Sequence, residues 1–132
     1  MNARYVFRVR LRLEPDHEAV SLEASSAETT VTLFRDAPEP GTEGWLFFRN
    51  TLWRGDVSDR DHARRLAAEW LGVPEDAVEA VDFRELQVDQ AYFDALKAEI
   101  ADDLAAFNAE NVSEVLSKYL GSSIRVTDSD GG

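Results

Sequence analysis

Cysteine is absent from this chain, which excludes disulfides, zinc–thiolate sites, iron–sulfur clusters and a cysteine nucleophile. Lysine is almost missing too: only Lys97 and Lys118 stand against twelve arginines. No apolar run reaches the roughly 20 residues that span a bilayer. Met1-Asn2-Ala3-Arg4 leads straight into an alternating pattern with no signal-like apolar stretch. The expected location is therefore the cytoplasm, with no membrane partner. There is no glycine-rich phosphate loop and no G-x-S-x-G turn, and histidine occurs only as His17 and His62. A nucleophilic triad has no visible members. Paired-carboxylate chemistry gains no support from the sequence, because any two of so many acids could meet. These absences lean away from an enzyme, and no cofactor is expected.

What the chain has in excess is negative charge. Asp and Glu number 26 against 14 basic residues, a net charge of -12 spread along the whole length. One physical setting for such a coat is a cytoplasm at molar salt. There the Debye length shrinks to about 3 Å, so self-repulsion costs little, while carboxylates keep the protein hydrated and soluble. Replacing lysine with arginine, aspartate and glutamate also reduces exposed methylene surface. Hydrophobic residues make up 44% of the 132 residues, enough for one folded domain without staples.

Residues 5–14 alternate, with Tyr5, Phe7, Val9, Leu11 and Leu13 on one side and Val6, Arg8, Arg10, Arg12 and Glu14 on the other. This predicts a strand with one buried face. Residues 19–24 predict a second strand and 29–35 a third. The prolines and glycine of residues 36–43 predict a loop. Residues 44–55, with Trp45, Phe47, Phe48 and Trp53, are bracketed by glycines and apolar on both alternating faces at the start. They read as an interior strand. Ser58, with Asp61 three residues on, predicts a helix N-cap, and Gly72 followed by Pro74 predicts its end. Residues 78–88 predict a strand. Asp89 is placed to cap a helix running to about Phe107. Asn111 with Glu114 opens a short helix that Gly121 ends, and residues 122–127 form a last strand. The expected fold is α+β. It is a single domain over residues 1–127 with a disordered acidic tail at 128–132. Its antiparallel or mixed sheet has about five to six strands, with about three helices packed on one face.

Three blocks taken together, Thr51-Leu52-Trp53-Arg54-Gly55-Asp56, Phe83-Arg84-Glu85-Leu86 and Lys118 through Val126, resemble the LWR-salt protein family. These are small haloarchaeal proteins with a Leu-Trp-Arg motif, here Leu52-Trp53-Arg54. The resemblance spans nearly the whole chain and implies a high-salt habitat. It brings no activity and no catalytic residues.

Three groups of side chains could carry chemistry. The first is Trp53 with Arg54, and Arg49 nearby in sequence. An indole beside guanidinium groups can stack on a planar ligand and pair with a phosphate or carboxylate. On a strand, though, neighbours point to opposite faces, and a tryptophan more often packs under a helix. The second is the row Arg8, Arg10 and Arg12, extended by Arg4, which lines about 27 Å of one strand face. It is a local reversal of charge suited to an anionic partner, though such a row more often serves cross-strand pairing, here with Glu18, Glu23, Glu85 or Asp82. The third, Asp56, Asp59, Asp61 and His62, fits helix N-terminal acids better than a metal site. The helix pair at 89–120 is too acidic for groove binding, and phosphate affinity falls steeply with salt, so duplex DNA is a poor partner. Tyr92 and Tyr119 could complete the core or form a partner surface. The expected function is a non-catalytic binding or interaction module. Its surface would be the Arg8–Arg10–Arg12 face with the Arg49–Arg54 strand end beside it, taking another protein or a small anionic ligand. The competing reading is a small-ligand protein or enzyme that holds a nucleotide-like or carboxylate ligand near Trp53 and Arg54.

Overall fold

In the computed structural model the described residues are 1–13 and 27–127. The expected strand at 19–24 and the tail at 128–132 lie outside them. Strands β1 (Ala3–Leu13), β2 (Ala27–Asp36), β5 (Val78–Val88) and β6 (Ile124–Val126) form one sheet in the order β2-β1-β5-β6. The β2–β1 and β1–β5 pairs are antiparallel, and β5–β6 is parallel. A separate two-stranded hairpin joins β3 (Leu52–Trp53) to β4 (Asp56–Val57). The helices are α1 (Phe47–Thr51), α2 (Arg60–Leu71), α3 (Gln90–Asp102) and α4 (Val112–Leu120). The architecture is the α+β sheet-and-helix arrangement expected.

Alternation in β1 decides which sheet face is covered. Tyr5, Phe7, Val9 and Leu11 are buried, whereas Arg8, Arg10 and Arg12 are exposed. Phe47 packs edge-on against Tyr5 at 4.8 Å between ring centroids, and Trp70 lies 5.9 Å from Phe7. Helices α1 and α2 therefore cover the apolar face, and the arginines stand on the other.

Strand β5 does not alternate simply. Its buried residues are Val78, Val81, Phe83, Leu86 and Val88, spaced three, two, three and two. A strand can keep such residues on one face only by inserting an extra residue at each wide gap. The register with β1 shifts at those two gaps, leaving Glu79 and Arg84 as the extra residues. The first bulge brings Glu79 to the arginine side.

Residues 44–55 depart from the expected strand. Asn50 N–H donates to the Leu46 carbonyl at 3.1 Å, closing a helical turn. The segment is apolar on two sides because α1 is wedged between two layers. Phe47 faces the sheet, while Phe48 faces Phe107 and Tyr119. Short apolar runs do not distinguish strand from helix by period. Helix α2 begins one residue later than expected. Its cap is Asp59, whose carboxylate accepts from His62 N–H at 3.0 Å. Ser58 instead donates from its N–H and hydroxyl to the Thr51 carbonyl, tying β4 to the end of α1. Helix α3 stops at Asp102, and Leu104–Phe107 continue as a 3-10 turn. Two successive acids at a helix C-terminus oppose its dipole.

Asp89 is buried at the start of α3. Its carboxylate accepts from Tyr92 N–H and Asn2 N–H, both at 2.8 Å, and lies 3.5 Å from the N-terminal ammonium. The Tyr92 amide, then that of Asn2 and the ammonium, hold its pKa below the ordinary 3.8 against the opposing effect of burial. A depressed carboxylate contributes stability that is present above that ordinary value and lost as pH falls through the depressed one. Asp89→Asn leaves Asn2 N–H facing an amide and should destabilise the protein at neutral pH. The difference from wild type should close progressively below about pH 4. Urea titrations across that range measure it, and a difference independent of pH would remove the charge from the explanation.

Candidate functional site

The sequence Trp53-Arg54-Gly55-Asp56 is a two-residue hairpin. Trp53 and Asp56 pair across it, and both central residues have positive φ, 52° for Arg54 and 85° for Gly55. That is the sign pattern of a type I′ turn, for which Asn-Gly is the favoured pair. Arginine at the first central position costs strain that asparagine or glycine would avoid.

The turn is held by the end of α4. Arg54 N–H donates to the Lys118 carbonyl at 2.8 Å, and Gly55 N–H to the Tyr119 carbonyl at 3.0 Å. Two carbonyls that a helix end leaves without intrahelical partners are thereby satisfied. The backbones approach so closely that a Cβ on Gly121 would stand 3.2 Å from the Arg54 carbonyl oxygen, and one on Gly55 3.2 Å from that of Leu120. The Leu86 N–H in turn donates to the Ser123 carbonyl at 2.8 Å. The three sequence blocks that carried the resemblance thus meet at one place.

Within this frame the three residues of the motif do different things. Leu52 is fully buried. Trp53 is 45% exposed, standing beside α4 rather than under a helix. Its ring meets Tyr119 edge-on at 5.9 Å. Because Arg54 sits in the turn rather than on a straight strand, its guanidinium carbon comes to 5.7 Å from the indole centroid, and Lys118 Nζ lies at 5.9 Å. Arg54 is exposed and forms no ion pair among the described residues. Lys118 donates to the carbonyls of Phe107 and Asn108, and Arg49 to that of Ala106. Arg49, Lys118 and Arg54 therefore form a basic arc from the 3-10 turn to the hairpin. Trp53, Arg54, Glu114, Ser117 and Lys118 line an open depression of about 490 Å³. Lys118 and Tyr119 were missed as partners of Trp53. Their helical spacing within the third block gave no hint that the hairpin docks there.

The arginine row lies on the opposite side of the sheet, so the two expected halves of a single surface are separate. Glu79 bridges Arg10 and Arg12, and Arg12 also reaches Glu28 at 3.6 Å. Arg4 donates to Gln87 and lies 4.1 Å over the Phe34 ring. Arg8 has no carboxylate within ion-pair distance among the described residues and stands opposite Asp82 in the register. The expected partners Glu18 and Glu23 lie outside the described residues, and Glu85 pairs with Arg125. The three-residue gap between Val78 and Val81 was the signal for Glu79. Among the described residues no group of His, Asp and Glu gathers to hold a metal ion, and no helix is long and apolar enough to cross a membrane.

The family model described as LWR-salt protein matches residues 1–130 of the chain. No curated protein and no solved structure matches it.

Proposed function

This chain belongs to the LWR-salt protein family, and we propose that it is a non-catalytic binding module whose working surface is the Trp53–Arg54 corner. Its partner is a small anionic ligand with a planar face, held in a high-salt cytoplasm. The observation that carries this reading is a strained arginine, at φ 52°, beside an exposed tryptophan. Strain of this kind persists where the side chain has a use. The electrostatics point the same way. At molar salt, attraction over distance is screened, so recognition must come from contact: stacking on the indole and paired N–H donors from the guanidinium. The Arg8–Arg10–Arg12 face offers less, since Glu79 already occupies two of its three guanidiniums.

Thermal-shift measurements with aromatic carboxylates and mononucleotides at molar KCl test the proposal, because a ligand that binds only the native state raises its stability. A shift of several degrees should disappear in Trp53→Ala and Arg54→Asn, and persist when Arg8, Arg10 and Arg12 are all changed to Glu. Arg54→Asn should also raise the stability of the unliganded protein by about 0.5–1 kcal/mol, since asparagine tolerates the left-handed turn. A ligand response that follows the triple substitution instead would return the working surface to the sheet face.

A further inference from the structure

A second cavity lies at the far end of the helix layer, between the start of β1, the end of β2, and helices α1 and α2. Its volume is about 210 Å³, with Tyr5, Phe47, Trp70 and Pro38 among its walls and Arg35 and Asp36 also lining it. That is below the roughly 300–1,000 Å³ of sites for drug-sized ligands, so it excludes a nucleotide and suits a small head group.

Three of the residues that line it are aromatic and two, Arg35 and Asp36, are charged. Phe47 lies 4.8 Å from Tyr5 and 6.1 Å from Trp70, centroid to centroid. Tyr5 stays neutral, because burial pushes its hydroxyl well above its ordinary pKa. Three neutral aromatic rings around a small space attract a cation through their quadrupoles, most strongly when the cation is poorly hydrated. The structure already shows the attraction at work. The guanidinium carbon of Arg35 lies 4.7 Å over the Trp70 ring. Arg35 is exposed, sits opposite Tyr5 in the β1–β2 register, and forms no ion pair among the described residues. Its donors are free to turn toward an anion.

The geometry points to a binding site for a small zwitterion that carries a methylated quaternary ammonium and a carboxylate. The ammonium takes the place of the Arg35 guanidinium over the Trp70 ring, with Phe47 and Tyr5, which pack against each other edge to face, as its side wall. The displaced guanidinium then takes the carboxylate in a two-point hydrogen-bonded pair. A primary ammonium is the wrong head group: it holds its water strongly, and ring faces with a single carboxylate, Asp36, do not replace its three hydrogen bonds. No residue of this site belongs to the Trp53–Arg54 corner, so either site can fail without the other.

Titration of isotope-labelled protein with tetramethylammonium, trimethylglycine and glycine tests the assignment, with the indole N–H resonances of Trp70 and Trp53 read separately. Trimethylglycine and tetramethylammonium should each move the Trp70 signal saturably and leave Trp53 unmoved, while glycine moves neither. Arg35→Gln should weaken trimethylglycine about tenfold, the size of one lost charge-assisted contact of roughly 1.4 kcal/mol. The same change should leave tetramethylammonium bound as tightly or more tightly. Trp70→Leu should abolish both responses. If that variant fails to fold, the Arg35→Gln comparison decides alone, since Arg35 is exposed. No saturable Trp70 shift with either cation, or an equal effect of Arg35→Gln on both, overturns the proposal.

Discussion

Replacing Gly121 by valine should cost about 3–5 kcal/mol of stability, a large share of the 5–15 kcal/mol that holds a domain together. Two causes add. Gly121 has φ 62° and ψ -134°, a region that a β-branched residue essentially does not enter, worth about 1–3 kcal/mol. Its missing Cβ is also what lets the hairpin reach α4, because that atom would stand 3.2 Å from the Arg54 carbonyl oxygen and 3.3 Å from its carbon. Backbone atoms cannot swing aside as a side-chain tip can. Relieving the clash therefore means lifting the turn and lengthening the bonds from Arg54 and Gly55 to the Lys118 and Tyr119 carbonyls, at about 1 kcal/mol each. The melting temperature should fall by roughly 10–20 °C. Gly72→Ala is the control for backbone conformation alone. Gly72 has φ 69° with nothing within 4 Å of its would-be Cβ, so its loss should stay near 1 kcal/mol. Equal losses at the two glycines would mean that the contact between hairpin and helix contributes nothing.

Most of the scaffold was legible because its residues obey a single period. The alternation of β1 placed Tyr5, Phe7, Val9 and Leu11 on its buried face, although Val6 on the other side is buried as well. Asp89 and Asn111 begin their helices, and Gly72 and Gly121 end theirs, where capping chemistry requires. What was misread fails for definite reasons. Residues 44–55 look like a strand because an element sandwiched between two layers is apolar on every side, which erases period. Trp53 was expected under a helix because a straight strand separates it from Arg54. Two positive φ angles bend the chain and bring them together. The arginine row was read correctly as a face. The pairing of Arg10 and Arg12 with Glu79 depends on a bulge, visible only as an odd gap in the spacing of buried residues. The corner itself joins residues 53–54 to residues 114–118, a pairing that no local pattern encodes. Only the co-occurrence of the three blocks pointed there.

Phe48→Ala should cause a loss of similar size, about 3–5 kcal/mol, and for a reason that bears on the corner. Phe48 is 1% exposed. Its ring stacks on Phe107 at 5.9 Å with 13° between planes, and meets Tyr119 at 6.0 Å and Trp45 at 6.2 Å. Truncating it opens a cavity beneath Tyr119, the ring against which Trp53 stands. The expected consequence is double: urea unfolding at fixed KCl shows the full loss, and the folded fraction binds corner ligands more weakly because Trp53 has lost its backing. Trp53→Ala, by contrast, removes binding while costing little stability, since its ring is 45% exposed. Phe34→Ala is the matched control, an aromatic 47% exposed on the arginine face beneath Arg4. It should cost less than about 1 kcal/mol and leave the corner unaffected. If Phe48→Ala proves as mild as Phe34→Ala, the aromatic cluster is not what holds α1 against α4. The support of Trp53 would then rest on the hairpin's two backbone bonds alone.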